Sequence, residues 1–179
     1  MTRLDGLRID AKTRLKGEQV ELRIAAAWYA LGKFTTEKAI DAAHAALNDG
    51  VYSEALGEVI FAEPRWSEIG PLFERALSEL GVGVPDRATA VQRLARDYAC
   101  RIVSSHLSPY EGAKSICWEL AYEPEAGDSL LPFIGLASEW EDCPEYRPEY
   151  EADIIQAAHE LAGSSEVESN TVNPARTED

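Results

Sequence analysis

A chain of 179 residues and 19.7 kDa has the size of one domain and can bury about 70% of the surface its unfolded form exposes, so it needs no covalent staple. Its three cysteines, Cys100, Cys117 and Cys143, are odd in number, with no Cys-x-x-Cys pair and no histidine at zinc-ligand spacing, which points to a reduced, cytoplasmic protein. The formal net charge of −15 speaks against direct nucleic-acid binding, because neutralising phosphates requires clustered Lys and Arg.

Met1 to Lys16 mixes Arg3, Arg8, Lys12 and Arg14 with Asp5 and Asp10 and lacks the apolar run of a signal peptide. The longest apolar stretches, such as Ile24 to Leu31, fall well short of the roughly 20 residues that span a bilayer, so no membrane segment is expected. A first helix is expected over Glu18 to Leu31, where Val20, Leu22, Ile24, Ala27, Trp28 and Leu31 form a continuous stripe and Gly32 can supply a left-handed cap.

Thr35 or Thr36 can cap a second helix, with Ala39, Ile40, Ala43, Ala46 and Leu47 inward and Asn48-Asp49-Gly50 as its stop. Ser53 opens a short third helix through Leu56, Val59 and Ile60, ended at Glu63-Pro64 because a residue before proline is pushed out of helical geometry. A loop is expected around Trp66. Pro71 then suits the first turn of a fourth helix carrying Leu72, Phe73, Ala76, Leu77 and Leu80 up to Gly81.

After the connector Gly81-Val82-Gly83-Val84-Pro85, a long fifth helix is expected from Arg87 to about Ser105, with Ala90, Val91, Leu94, Ala95, Tyr98, Ile102 and Val103 inward. Ser108-Pro109-Tyr110-Glu111 combines an N-cap serine, a proline at the first helical position and a glutamate at the third, and starts a sixth. Asp128 or Ser129 can cap a seventh holding Leu130, Leu131, Phe133, Ile134 and Leu136, with Pro132 tolerated in its first turn. A loop Trp140-Glu141-Asp142-Cys143-Pro144 follows, and Tyr150, Ile154, Ala157, Ala158 and Leu161 define an eighth helix ending at Gly163.

Strand signals are scarce, so the expected fold is all-α: a compact bundle of about eight helices. Residues 1–163 are read as a single helical domain. Residues 164–179, with little apolar content, are read as a disordered acidic tail.

The acidity is unevenly placed. Residues 1–107 carry 14 Lys+Arg against 15 Asp+Glu, whereas residues 108–179 carry 3 against 17. Glu139, Glu141, Asp142, Glu145, Glu149, Glu151 and Asp153 fall within fifteen residues beside only Arg147. Their simplest role is a solvated or partner-facing acidic surface. Carboxylates at this density can also hold Mg²⁺ or Ca²⁺, but no EF-hand spacing is present.

His44, His106 and His159 are isolated, with no His-x-x-x-His or Glu-x-x-His pair, and His159 alone stands beside acidic helix positions. Nucleophile elbows, phosphate-binding glycine loops and dinucleotide fingerprints are all missing from the sequence. The cysteines on apolar helix faces read as inert small hydrophobes. Arg87, Arg93, Arg96 and Arg101 share the fifth helix and are expected to pair with Asp97 and the acidic C-terminal part. Trp118, Trp140 and Tyr146 lie within that part, where aromatics beside carboxylates can anchor an interface, although Trp118 serves equally well as core.

The stretch Ser108-Pro109-Tyr110-Glu111-Gly112-Ala113 through Ile116 and Trp118, then Leu131 through Asp142 and Tyr150-Glu151-Ala152-Asp153-Ile154, resembles a pattern recurring in uncharacterised small bacterial helical proteins. That resemblance covers the last third of the folded chain and implies a bacterial cytosolic helical domain, with no catalytic residue carried across. As a compact acidic helical chain without enzyme motifs, it is also similar in kind to immunity proteins that neutralise bacterial toxins.

The leading expectation is therefore a non-enzymatic binding protein without a cofactor. Its acidic surface, comprising Glu139, Trp140, Glu141, Asp142, Glu145 and Tyr146, would dock on a basic partner such as a nuclease-like toxin. One alternative is a carboxylate-rich metal-dependent hydrolase with Glu119, Glu123, Glu139, Asp142 and His159 as ligands on facing helices. Another is a structural or oligomeric interaction module.

Overall fold

A computed structural model describes residues 20–163. The expected start of the first helix at Glu18 and the acidic tail at 164–179 lie outside the described residues. Those residues form eight α-helices, α1 (Val20–Ala30), α2 (Thr36–Asn48), α3 (Glu54–Phe61), α4 (Trp66–Glu79), α5 (Arg87–Val103), α6 (Pro109–Glu119), α7 (Leu131–Asp142) and α8 (Arg147–Gly163). Single 3₁₀ turns at Asp128–Leu130 and Pro144–Tyr146 lead into α7 and α8. No strand occurs among the described residues, and none of their helices is long and apolar enough to cross a membrane.

The helix starts follow from side chains that satisfy otherwise unpaired backbone N–H groups. Thr35 accepts from the Lys38 N–H, Ser53 from Leu56, Asp86 from Thr89 at 2.8 Å, and Ser108 from Glu111. The α3 start receives a second cap from far along the chain, because Glu79 Oε2 accepts from the Ala55 N–H at 3.1 Å. That bond is the main reason the Glu79 carboxyl titrates below the usual range. At the other ends, Gly50 and Gly81 take positive φ values of 83° and 67°. The Val51 and Val82 N–H groups can then reach back to the Ala46 and Leu77 carbonyls, at 2.9 and 2.8 Å, while both valines are buried, the left-handed termination that glycine permits.

The cap expected from Asp128 or Ser129 is not made, since both lie in the 3₁₀ turn and α7 starts at Leu131 without a side-chain cap, and two further expected boundaries move. Helix α4 begins at Trp66, five residues ahead of Pro71, which therefore sits inside it. The preceding residue is Gly70, and without a Cβ it escapes the clash that normally expels a pre-proline residue from helical geometry. A Cβ at Gly70 would also stand 3.1 Å from the Trp66 ring. Helix α7 runs on through Trp140, Glu141 and Asp142, which the sequence placed in a loop. It breaks at Cys143, whose φ of −124° and ψ of 76° are non-helical, as befits the residue before Pro144.

Helix α5 is the central element. It packs on α1 at one side and on α6 and α8 at the other, while α2 packs on α1, α3 and α4 pack on α2 and on each other, and α7 closes against α6 and α8. One continuous apolar core runs through both groups, from Leu22, Phe73 and Leu77 to Leu94, Ile116, Phe133 and Ile154. Tyr29, Phe34, Trp66 and Phe73 meet in an aromatic cluster in which the Phe34 and Phe73 centroids lie 4.6 Å apart, tying α1 to α4. Gly112 lets α6 pack against α5, since an added Cβ would come within 2.5 Å of Ile102 Cδ1.

Candidate functional site

The carboxylates at the end of α6 turn inward on cations from the first half of the chain. Glu123 accepts from Lys33 Nζ at 2.5 Å and from Arg87 at 2.6 Å, and its side chain is only 11% exposed. Lys33 also donates to the Glu119 carbonyl at 2.6 Å, Glu119 Oε2 accepts from the Tyr98 hydroxyl at 2.8 Å, and Arg87 reaches Glu125 at 3.4 Å. The Lys33 hydrogen bond, followed by its charge and that of Arg87, holds the Glu123 carboxyl below the usual range. These groups form a partly exposed seam between the two helix groups, in which the charge of Glu123 is spent on Lys33 and Arg87 while the Glu119 carboxylate is held by the Tyr98 hydroxyl.

The expected pairing of the α5 arginines is partly seen. Arg87 binds the α6-end acids, and Arg101 stands 3.8 Å from Asp97.

The five residues of the metal alternative are not brought together. Glu119 and Glu123 belong to this seam, Glu139 and Asp142 are exposed on the last turns of α7, and His159 is exposed on α8. Among the described residues no three His, Cys, Asp or Glu side chains converge on a position that could hold an ion. The facing-helix geometry that the hydrolase reading required is therefore not formed.

The second acidic group does face outward, at the corner where α7 turns into α8. Its centre is Trp140. The Tyr110 ring, from the first turn of α6, stacks on it with centroids 3.8 Å apart and planes 13° apart. The Arg147 guanidinium lies 3.9 Å from the ring centre. The Trp140 indole N–H donates to Glu151 at 3.1 Å, and Arg147 Nε donates to the Trp140 carbonyl at 3.1 Å. The Tyr110 hydroxyl donates to Glu141 in a short hydrogen bond, the largest cause raising the phenol's pKa. Lys114 lies 5.4 Å over the Tyr110 ring, and its ammonium is held above the ordinary lysine range by Tyr110, Glu111 and Glu141.

Around this stack, Glu139, Asp142, Glu145 and Tyr146 are exposed, Tyr146 to 53%. Burial, then the Cys143 side chain, and then the charges of Glu139 and Glu145 raise the Tyr150 phenol's pKa. The six residues singled out for partner binding thus differ in kind. Glu139, Asp142, Glu145 and Tyr146 are available at the surface, whereas Glu141 and half-buried Trp140 are engaged in building the corner. Trp118, for which core and surface roles were both open, is 71% exposed on α6.

Sequence reasoning missed the stacking role of Tyr110 and the clamp made by Arg147 and Glu151. Tyr110 is thirty positions from Trp140 and carried no signal beyond its place at a helix start. Arg147 was visible only as the lone cation of an acidic run.

The fold and this surface define the class: an all-α chain whose described outer corner joins unpaired carboxylates to a rigid aromatic stack. The chain matches no protein-family model, no curated protein and no solved structure.

Proposed function

We propose that this chain is a non-enzymatic binding protein whose α7–α8 corner docks on a basic protein. The supporting observation is that Glu139, Asp142 and Glu145 stand exposed with no cation of a described residue pairing with them, beside an immobilised Tyr110–Trp140–Arg147 stack. Opposite potentials accelerate and orient encounter, while a preorganised aromatic centre limits the entropy lost on docking. Exposed Tyr146 supplies an amphipathic anchor at the rim. In its concrete form the partner is a nuclease-like toxin, whose phosphate-binding cations would meet these carboxylates.

The test is affinity capture from a lysate of the source organism with the full chain and with the Glu139→Lys/Asp142→Lys double variant, followed by association kinetics of the captured protein. A partner rich in Lys and Arg should bind the parent chain at least tenfold faster at low salt than at roughly 0.5 M, where the Debye length drops below about 5 Å, and bind the variant slowly at every salt. Association rates that are independent of salt and alike for both chains would remove this surface from consideration.

A further inference from the structure

A groove of about 370 Å³ opens between α1, α2 and α5, on a part of the molecule to which the acidic corner contributes no residue. It continues into a second lobe of about 340 Å³, and the two lobes share Glu21, Ile24, Trp28, Tyr98 and Arg101. Asp41 borders only the first lobe and Asp97 only the second. Asp41 and Asp97 thus border different lobes, and Ile24 and Trp28, which line both together with Glu21, give the shared stretch an apolar middle. Its volume falls within the range of small-molecule sites, roughly 300–1,000 Å³.

The two cations in the groove are already committed. Lys38 Nζ lies 4.2 Å over the Trp28 ring. Arg101 stands 3.8 Å from Asp97 and 5.8 Å over the Tyr98 ring. Even beside Arg101, the Asp97 carboxyl titrates above the ordinary range, because burial and then the charge of Glu21 outweigh the guanidinium. Among the described residues no cation pairs with Glu21 or Asp41.

We propose that this groove binds a short linear aliphatic diamine, with one ammonium between Glu21 and Asp97, the other at Asp41, and the methylene chain across Ile24 and Trp28. An inorganic divalent ion fits less well, since the carboxylates are not gathered to coordinate one centre and the apolar middle offers it nothing. An alkyl chain uses that middle, and each ammonium donates charge-assisted hydrogen bonds at its own end.

The experiment is calorimetric titration of the full chain with 1,4-diaminobutane, with butylamine and with Mg²⁺, monitored in parallel by tryptophan fluorescence. The expected result is one saturable diamine site and at least tenfold weaker binding of butylamine, which also stands for a single lysine side chain of a protein partner. Asp97→Asn and Asp41→Asn should each weaken the diamine at least fivefold, and Asp41→Asn should leave butylamine unchanged. Glu139→Gln, in the α7–α8 corner, should bind the diamine like the parent. No saturation up to about 10 mM, displacement by equimolar Mg²⁺, or an equal loss in Glu139→Gln and Asp97→Asn would each overturn the proposal, the last two by exposing nonspecific counter-ion attraction. The groove and corner tests use separate substitutions, so either reading can fail alone.

Discussion

Tyr110 lies flat on Trp140, with 3.8 Å between ring centroids and 13° between planes, and this contact joins the first turn of α6 to the last turn of α7. It makes the corner a rigid object, because the Tyr110 hydroxyl and the Trp140 indole are also anchored, to Glu141 and Glu151.

A double-mutant cycle with Tyr110→Leu and Trp140→Leu, followed by urea unfolding, should return a coupling of about 0.5–1.5 kcal/mol in favour of the pair. A coupling indistinguishable from zero would mean that the rings lie side by side without stabilising each other. Trp140→Leu should in addition slow docking of a basic partner, since it loosens the surface without altering its formal charge.

Gly112→Ala should destabilise the fold by about 1–2 kcal/mol. Alanine brings a helix-propensity gain of up to about 1 kcal/mol, but its methyl group would lie 2.5 Å from Ile102 Cδ1. Ile102 is 2% exposed and has no room to withdraw, so overpacking of about 1–3 kcal/mol prevails. The double variant Gly112→Ala/Ile102→Val should recover part of the loss. A lower denaturation midpoint in the single variant, with an unchanged m-value, is the readout.

Glu123→Gln should cost about 1–2 kcal/mol at neutral pH, less than a fully buried pair because Lys33 and Arg87 keep 39% and 45% exposure and can be rehydrated. The pH dependence has a defined sign. The Glu123 carboxyl titrates lower in the folded chain than in the unfolded one, so its stabilisation is complete above the ordinary glutamate range and lost as pH falls through its lowered value. The Gln variant should therefore show a shallower acid limb in stability measured from pH 7 downward. Parallel acid limbs would contradict the seam.

Asp97 carries the opposite sign. Burial raises its folded-state pKa, so the folded chain holds that proton more tightly than the unfolded chain does. Its contribution to stability is greatest below the ordinary aspartate range and declines as pH rises through the raised value. Asp97→Asn should remove this decline, so stability of the variant should rise more steeply with pH across that window, and difference scans of the variant against the parent between about pH 3 and 7 isolate it.

Helix existence was legible along the chain because its causes are local. Ser53, Asp86 and Ser108 cap within three residues of themselves, and apolar side chains recur every three or four positions where a helix must bury one face. The same local reading misplaced the start of α4 and the end of α7, where pre-proline Gly70 and packing of the Trp140 side chain override the usual boundary signals. The clustering of acid in the C-terminal part was also plain from the residues themselves.

What that acid does was decided in three dimensions. Glu119 and Glu123 look like Glu139 and Asp142 in the chain, yet packing of α1 against α5 and of α5 against α6 brings the Glu123 carboxylate to Lys33 and Arg87 and that of Glu119 to the Tyr98 hydroxyl. Lys33 is 86 positions from Glu119. The second pair remains in solvent. Coulombic pairing depends on distance through space, which no local pattern encodes, so the amino-acid sequence determined helices, caps and charge content, and tertiary packing determined which charges are neutralised and which are left to meet another molecule.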